Sequence, residues 1–315
     1  MAVLCGQAIS HTEETIRLHT STCPIEGTVS LPESTGPVPV ALIIAGSGPT
    51  DRDGNSLGLS GRNNSLRMLA DALANAGIVS LRYDKRGVAA SRCSGRIESD
   101  LRFEDYAADA AAWVGLLKQD RRLSGIAIVG HSEGALVGLL ATRQSAVAAY
   151  VSIAGASEGA SRMIRRQLKG RLPAELAGLN EQILSSLETG KSWPDVPAQL
   201  TAIYRPSVQA YLMSWFRYVP TNEIAELTAP CLILQGDTDI QVSMSDAKAL
   251  HEAHPSCKLK LVVGMNHVMK IVPTDSARQM ASDSDPALPL APELVHTLTS
   301  FLKTSRNATA EPSRK

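Results

Sequence analysis

Net charge is absent from this chain: 31 Lys and Arg balance 31 Asp and Glu over 315 residues. A chain without a basic excess is poorly suited to a nucleic-acid surface. It also lacks the mutual repulsion that keeps copies apart, so a homodimer is expected. Long apolar runs are missing too. No stretch approaches the ~18 residues of a membrane span. Met1–Ser10 has neither a charged leader nor a long apolar segment, which reads as no signal peptide and a cytoplasmic location. Cysteine is sparse and odd in number, at five, with no C-x-x-C pair. That count supports neither a disulfide framework nor a metal site. Cys231 reads as a small core residue, and a Cys5–Cys23 bridge requires export. His251 and His254 are three apart, not the four of a zinc H-E-x-x-H helix, so no metal is expected. No cofactor motif and no internal repeat is visible.

What is present is a 44% hydrophobic composition, ample for a core without staples. Thr15–His19 and Thr28–Leu31 alternate apolar and polar residues, as in an antiparallel hairpin. Val40–Ala45, Ile78–Tyr83, Gly125–Val129, Val147–Ile153, Cys231–Gln235 and Leu259–Val263 are near-continuous apolar runs, as in strands covered on both faces. Helical spacing separates them, most clearly over Phe103–Leu117. Alternating strands and helices imply an α/β fold with a mainly parallel sheet. The rhythm breaks between about 156 and 222, where prolines punctuate helical apolar faces. This stretch is read as a helical cap inserted between the sixth and seventh core strands. The expected organisation is a core over 1–155 and 223–304, the cap over 156–222, and a frayed tail over 305–315. The cap holds six of the twelve aromatics, Trp193, Tyr204, Tyr211, Trp215, Phe216 and Tyr218. They either build the cap's own small core or line an apolar pocket. Trp193, Tyr211, Trp215 and Phe216 are the pocket candidates.

Gly130-His131-Ser132-Glu133-Gly134 fits G-x-S-x-G and sits between an apolar strand and a small-residue helix. A serine at such a turn is held in a strained backbone that lifts its hydroxyl above the sheet. A helix-capping serine fits the same position. A nucleophilic serine needs a base, and the base needs an orienting group. Gly236-Asp237-Thr238-Asp239 follows one strand, and Gly264-Met265-Asn266-His267 follows the next. Both lie past strand ends, where open α/β sheets place their ligand sites.

In the order Ser132, Asp239, His267, and in the segments 46–54, 82–87, 130–134 and 236–239, the chain resembles an α/β-hydrolase of the esterase and serine-aminopeptidase-like branch. It departs at Ala89, where many relatives carry the second glycine of D-x-R-G-x-G-x-S. The resemblance implies a triad of Ser132 nucleophile, His267 base and Asp239 orienter, with Asp237 as Asp239's rival. It also implies an oxyanion hole from the amides of Glu133 and of Ser47 or Gly48. No G-K-[ST] follows that glycine loop, so it is not a phosphate cradle. The implied activity is cleavage of a small-molecule carboxylic ester with a small or medium acyl chain. Thioesters, amides or peptides, and acyl transfer use the same triad. A non-catalytic binding protein on the same fold is the other class. The charge clusters Asp51-Arg52-Asp53 and Asp84-Lys85-Arg86 are expected to pair across loops and hold the oxyanion turn, with Arg86 essential. Asn63-Asn64-Ser65 and Asn307-Ala308-Thr309 fit the glycosylation sequon.

Overall fold

The structure, a computed structural model, describes residues 11–58, 60–93 and 98–305. Strands β1 (His11–His19) and β2 (Pro24–Pro32) form an antiparallel hairpin, followed by β3 (Val38–Ile44), α1 (Ser65–Asn75), β4 (Val79–Tyr83) and α2 (Phe103–Leu117). β5 (Leu123–His131), α3 (Glu133–Thr142) and β6 (Ala149–Ile153) come next. Five helices then precede the next strand: α4 (Ala160–Leu168), α5 (Ala174–Glu188), α6 (Thr201–Tyr204), α7 (Pro206–Trp215) and α8 (Pro220–Ala225). The chain closes with β7 (Cys231–Gly236), α9 (Met244–Ala253), β8 (Lys258–Val262), α10 (Ser276–Ser282) and α11 (Pro292–Ser305). The eight strands form one sheet in the order β1-β2-β4-β3-β5-β6-β7-β8, parallel from β4 onward and antiparallel at β1–β2 and β2–β4. This is the α/β-hydrolase architecture.

Strand alternation sorts the core into two layers. Ala41, Ile43, Val129 and Leu234 face α1 and α11, meeting Leu66, Leu69, Leu294 and Leu298. Leu42, Ile44, Ile128 and Ile233 face α2, α3 and α9. Cα positions of parallel strands all run one way, so β3, β5, β7 and β8 deliver their following loops to one edge.

The helical stretch between β6 and β7 extends a little past residue 222, because α8 runs to Ala225. Its aromatics mostly pack inward: Trp215 stacks on Phe103 of α2 at 5.5 Å between ring centroids, and Tyr204 donates to Asn180 at 2.6 Å. Among the described residues no helix is long and apolar enough to cross a membrane. Asn63 is buried with its amide donating to Gly54 O, which leaves no room for a glycan; Asn307 lies outside the described residues.

The cysteine expectation is overturned. Cys23 pairs with Cys93, and Cys231 with Cys257, as disulfides. An odd count hides pairing when one cysteine stands apart, here Cys5, outside the described residues. The Cys5–Cys23 bridge is ruled out by Cys23's bond to Cys93. Disulfides persist in oxidising compartments, so the pairing weighs against the cytoplasmic expectation. Thiol titration of the denatured, unreduced chain should find one free thiol among the five cysteines. Five titratable thiols would contradict both bonds.

Candidate active site

β5 ends at His131, and the chain turns at Ser132 with φ 55° and ψ −121°. This is a left-handed, strained conformation for a residue with a Cβ. Two glycines make the turn possible. A Cβ at Gly130 would overlap the Gly134 carbonyl, and one at Gly134 would overlap the Ile44 and Ala45 carbonyls. The Ser132 amide donates to Ile153 O at 2.9 Å, fixing the turn to β6. The Ser132 hydroxyl makes no capping bond to α3, unlike a helix-capping serine.

His267 Nδ1 lies 2.8 Å from Asp239 Oδ2, in the loops after β8 and β7. The Asp239 carboxylate is fully covered and heavily braced. Gln235 Nε2 donates to Oδ2 at 3.1 Å, and the amides of Gln241 and Val242 donate to Oδ1 at 2.8 and 3.0 Å. Burial pushes the Asp239 carboxyl up, but the His267 charge and these bonds outweigh it and hold it below its ordinary value. Burial pulls His267 down, and Asp239's charge and hydrogen bond reverse that, leaving it above its ordinary 6.5. Asp237 is spent elsewhere: it is exposed and accepts the Gly264 amide at 2.6 Å. Among the described residues no hydrogen bond joins the Ser132 hydroxyl to His267, though both line one cavity. In unliganded hydrolases such contacts are commonly long and tighten around substrate.

His131 is a participant the motif reading left unassigned. It is buried, and its Nε2 donates to the His267 carbonyl at 2.8 Å, tying the loop after β8 to β5. A carbonyl accepts only, so that nitrogen carries the proton. Burial, aided by the neighbouring His267, lowers His131 to about 4, so the ring is neutral at pH 7.

The loop after β3 approaches the serine so closely that a Cβ at Gly46 would sit 3.2 Å from Ser132 Cβ. Among the described residues the amides of Ser47, Gly48 and Glu133 have no backbone acceptor, so all three are open to a ligand oxygen. Two of them, Ser47 and Glu133, are held by one buried cation. Lys85 Nζ donates to Gly46 O at 2.5 Å and to Glu133 Oε1 at 3.0 Å, and Glu133 Oε2 accepts from Tyr211 at 2.8 Å.

The charge clusters pair across loops through Arg52 and Asp84, and the departure from expectation is Arg86. Asp84 binds Arg52 through its guanidinium at 2.7 Å, Asp53 pairs with Arg82, and Asp51 accepts amides of its own loop. Arg86 instead binds Asp109 of α2, and the oxyanion loop is held by Lys85. An arginine's long fork reached past the loop to the helix behind it, a distinction no spacing carries. Ala89 has φ 44°, so the loop keeps a glycine-like conformation without the glycine.

Of the four aromatic pocket candidates, two reach cavities. Trp215 lines a small cavity of about 70 Å³ with Ser47, Ser132, Leu136, Ala160 and Met163. Tyr211 lines a larger one of about 480 Å³ with Gly48, Pro49 and Lys85. Trp193 and Phe216 line neither; they pack against the core, with the Trp193 amide donating to Gln209 at 2.7 Å. Cys231, Cys257 and His254 gather at the other end of β7, but the two sulfurs are bonded to each other, which leaves a single imidazole.

Comparison with known proteins bears on the family and the fold. The model of a family described as the alpha/beta hydrolase family matches residues 58–282. The esterase EstD of Thermotoga maritima is 27% identical over 248 residues, 78% of this chain and 58% of EstD. The chain thus spans less than two thirds of that relative. Among solved structures, Est1E from Butyrivibrio proteoclasticus superposes with a TM-score of 0.59 at 17% identity, over 92% of this chain and 99% of that one. The alpha/beta hydrolase GrgF from Penicillium sp. sh18 gives 0.60 at 18% identity, over 94% and 99%. At these identities the structures share the fold.

The neutral His131 makes a stability prediction. Between pH 6.5 and about 4 the unfolded chain binds a proton there that the folded chain refuses. Folding stability should fall with acidity across that window, by up to about 3 kcal/mol from this group. Urea unfolding at both ends of the window should show a smaller loss for His131→Gln than for wild type. Equal losses would contradict the assignment.

Proposed function

The chain belongs to the alpha/beta hydrolase family, and from that premise we propose that it is a serine hydrolase cleaving carboxylic esters of small-to-medium acyl chains through an acyl-enzyme. The observation carrying this reading is the 2.8 Å bond from His267 Nδ1 to the braced Asp239, on a cavity shared with the strained Ser132. Asp239 holds the Nδ1 proton and leaves Nε2 as the basic nitrogen. Nε2 takes the Ser132 proton as Oγ attacks the ester carbonyl. The amides of Glu133 and Ser47 donate to the developing oxyanion, with Gly48 beside them. Nε2 then returns the proton to the departing alcohol, and water repeats the sequence to free the acid. The small 70 Å³ cavity beside Ser132, which includes Leu136, Met163 and Trp215, supports a short acyl chain. The esterase name of the relative EstD supports esters over amides.

Ser132→Ala should abolish turnover of p-nitrophenyl acetate, and turnover at wild-type rate would end the reading. Faster cleavage of aminoacyl-anilides than of esters would favour a peptidase. Because His267 must be neutral to act as base, kcat/KM should rise with pH through a midpoint above 6.5. Asp239→Asn should cost on the order of 10⁴ in kcat by stabilising the wrong tautomer. An Asp239→Asn enzyme with an unchanged profile would assign the orienting role elsewhere.

Lys85 generates a second expectation. Both its side chain and that of Glu133 are buried, at 1% and 2% exposure. Lys85→Met should cost about 3–5 kcal/mol of stability by stranding the carboxylate. Adding Glu133→Leu should restore stability but leave kcat about 100-fold low, because the Gly46 carbonyl stays unheld. Full recovery of kcat in the double variant would show that Lys85 serves stability alone.

A further inference from the structure

We infer that the alcohol half of the ester is a polyhydroxylated group, a single sugar or a glycerol-type polyol, seated in a polar cavity beside His267. The inference rests on the ester-hydrolase reading above. The imidazole must hand its proton to the leaving oxygen, so the alcohol departs on the imidazole's side of the tetrahedral carbon. Two cavities share Ser132. The 70 Å³ cavity combines Leu136, Ala160, Met163 and Trp215 with Glu133, Glu158 and Gln167, shares Gln241 with the other, and does not include His267. The other, about 180 Å³, includes His267 and is walled by Ser56, Asn63, Ser65, Gln241 and Asp283, with Val268 as its one large apolar side chain. The position of His267 therefore assigns the mixed cavity, which holds the larger apolar side chains, to the acyl chain and the polar one to the alcohol.

The polar wall is also unspent. Asn63 is occupied, donating to Gly54 O at 3.1 Å and accepting the Ser65 amide at 2.9 Å. The hydroxyls of Ser56 and Ser65, the Gln241 side-chain amide and the Asp283 carboxylate have no hydrogen-bond partner among the described residues. Of these, Ser65 is buried, Ser56 and Asp283 are half-buried and Gln241 is exposed, so a ligand seated in this cavity meets idle donors and acceptors on its walls. Hydroxyl groups satisfy such a mixed set, since each both donates and accepts. An alkyl alcohol would cover the Ser56 and Ser65 hydroxyls and the Asp283 carboxylate without pairing them. Asp283 alone would favour a cation, but it interacts with both His267 and Lys270, whose positive charge offsets it. In the reaction, the Ser132 Oγ–acyl bond forms, the acyl–oxygen ester bond breaks, and the sugar or polyol oxygen takes the proton from His267.

The experiment compares kcat/KM on four acetates: an acetylated glucose, monoacetylglycerol, hexyl acetate and acetylcholine. The wild type should favour the glucose or glycerol acetate over hexyl acetate by about tenfold or more, the worth of one or two hydrogen bonds left unmade. Gln241→Leu, a change at an exposed position, should lower that preference about tenfold, chiefly through KM. Asp283→Asn should lower it in the same sense. A preference for hexyl acetate or acetylcholine, or a ratio unmoved by both variants, would overturn the inference while leaving the esterase reading intact. Turnover of every acetate surviving Ser132→Ala would overturn both.

Discussion

The arrangement depends on one close approach of backbone to backbone. β5 can end in a reversed turn at Ser132 only because Gly130 and Gly134 present no Cβ to the carbonyls of Gly134, Ile44 and Ala45. With φ at 55°, the turn stores strain typically worth about 1–3 kcal/mol. The rest of the sheet absorbs that cost. Ile44 and Ala45 belong to β3 and its exit, so the same approach that fixes the serine also brings the oxyanion loop beside it. The proposed nucleophile and the proposed oxyanion donors are thus positioned by a single packing event.

Buried polar contacts then fix what packing leaves free. His131 reaches from the serine turn to the His267 carbonyl, so the loops of the proposed base and nucleophile share an anchor. Lys85 reaches from the loop after β4 to Gly46 and Glu133, tying both proposed oxyanion donors to one ammonium. Tyr211 on α7 completes Glu133's bonding, which links the helices between β6 and β7 to the floor of the site. Each contact joins a different pair of elements around the site.

Much of this was legible beforehand. Phe103–Leu117 shows helical period in the sequence and forms α2 over the same residues. The strand runs were readable because parallel strands buried on both faces are apolar throughout. Ser132, Asp239 and His267 each follow such a run, so they were readable as strand-end residues. Other features carry no local signal. Lys85 and Arg86 are neighbours with the same charge, yet one turns to the oxyanion loop and the other to α2. Cys23 and Cys93 lie 70 residues apart, and their proximity comes from tertiary structure alone. The helix α10 is short and weakly patterned, and its bounds depend on Asp275 accepting the Arg278 amide.

The most direct test of convergence is the site of covalent capture. A fluorophosphonate probe attaches to a serine whose hydroxyl is deprotonated by a neighbouring base. Peptide mass spectrometry of the labelled protein should find one adduct, on Ser132, and the His267→Ala protein should label far more slowly. An adduct on another residue, or equal labelling after the imidazole is removed, would contradict the account.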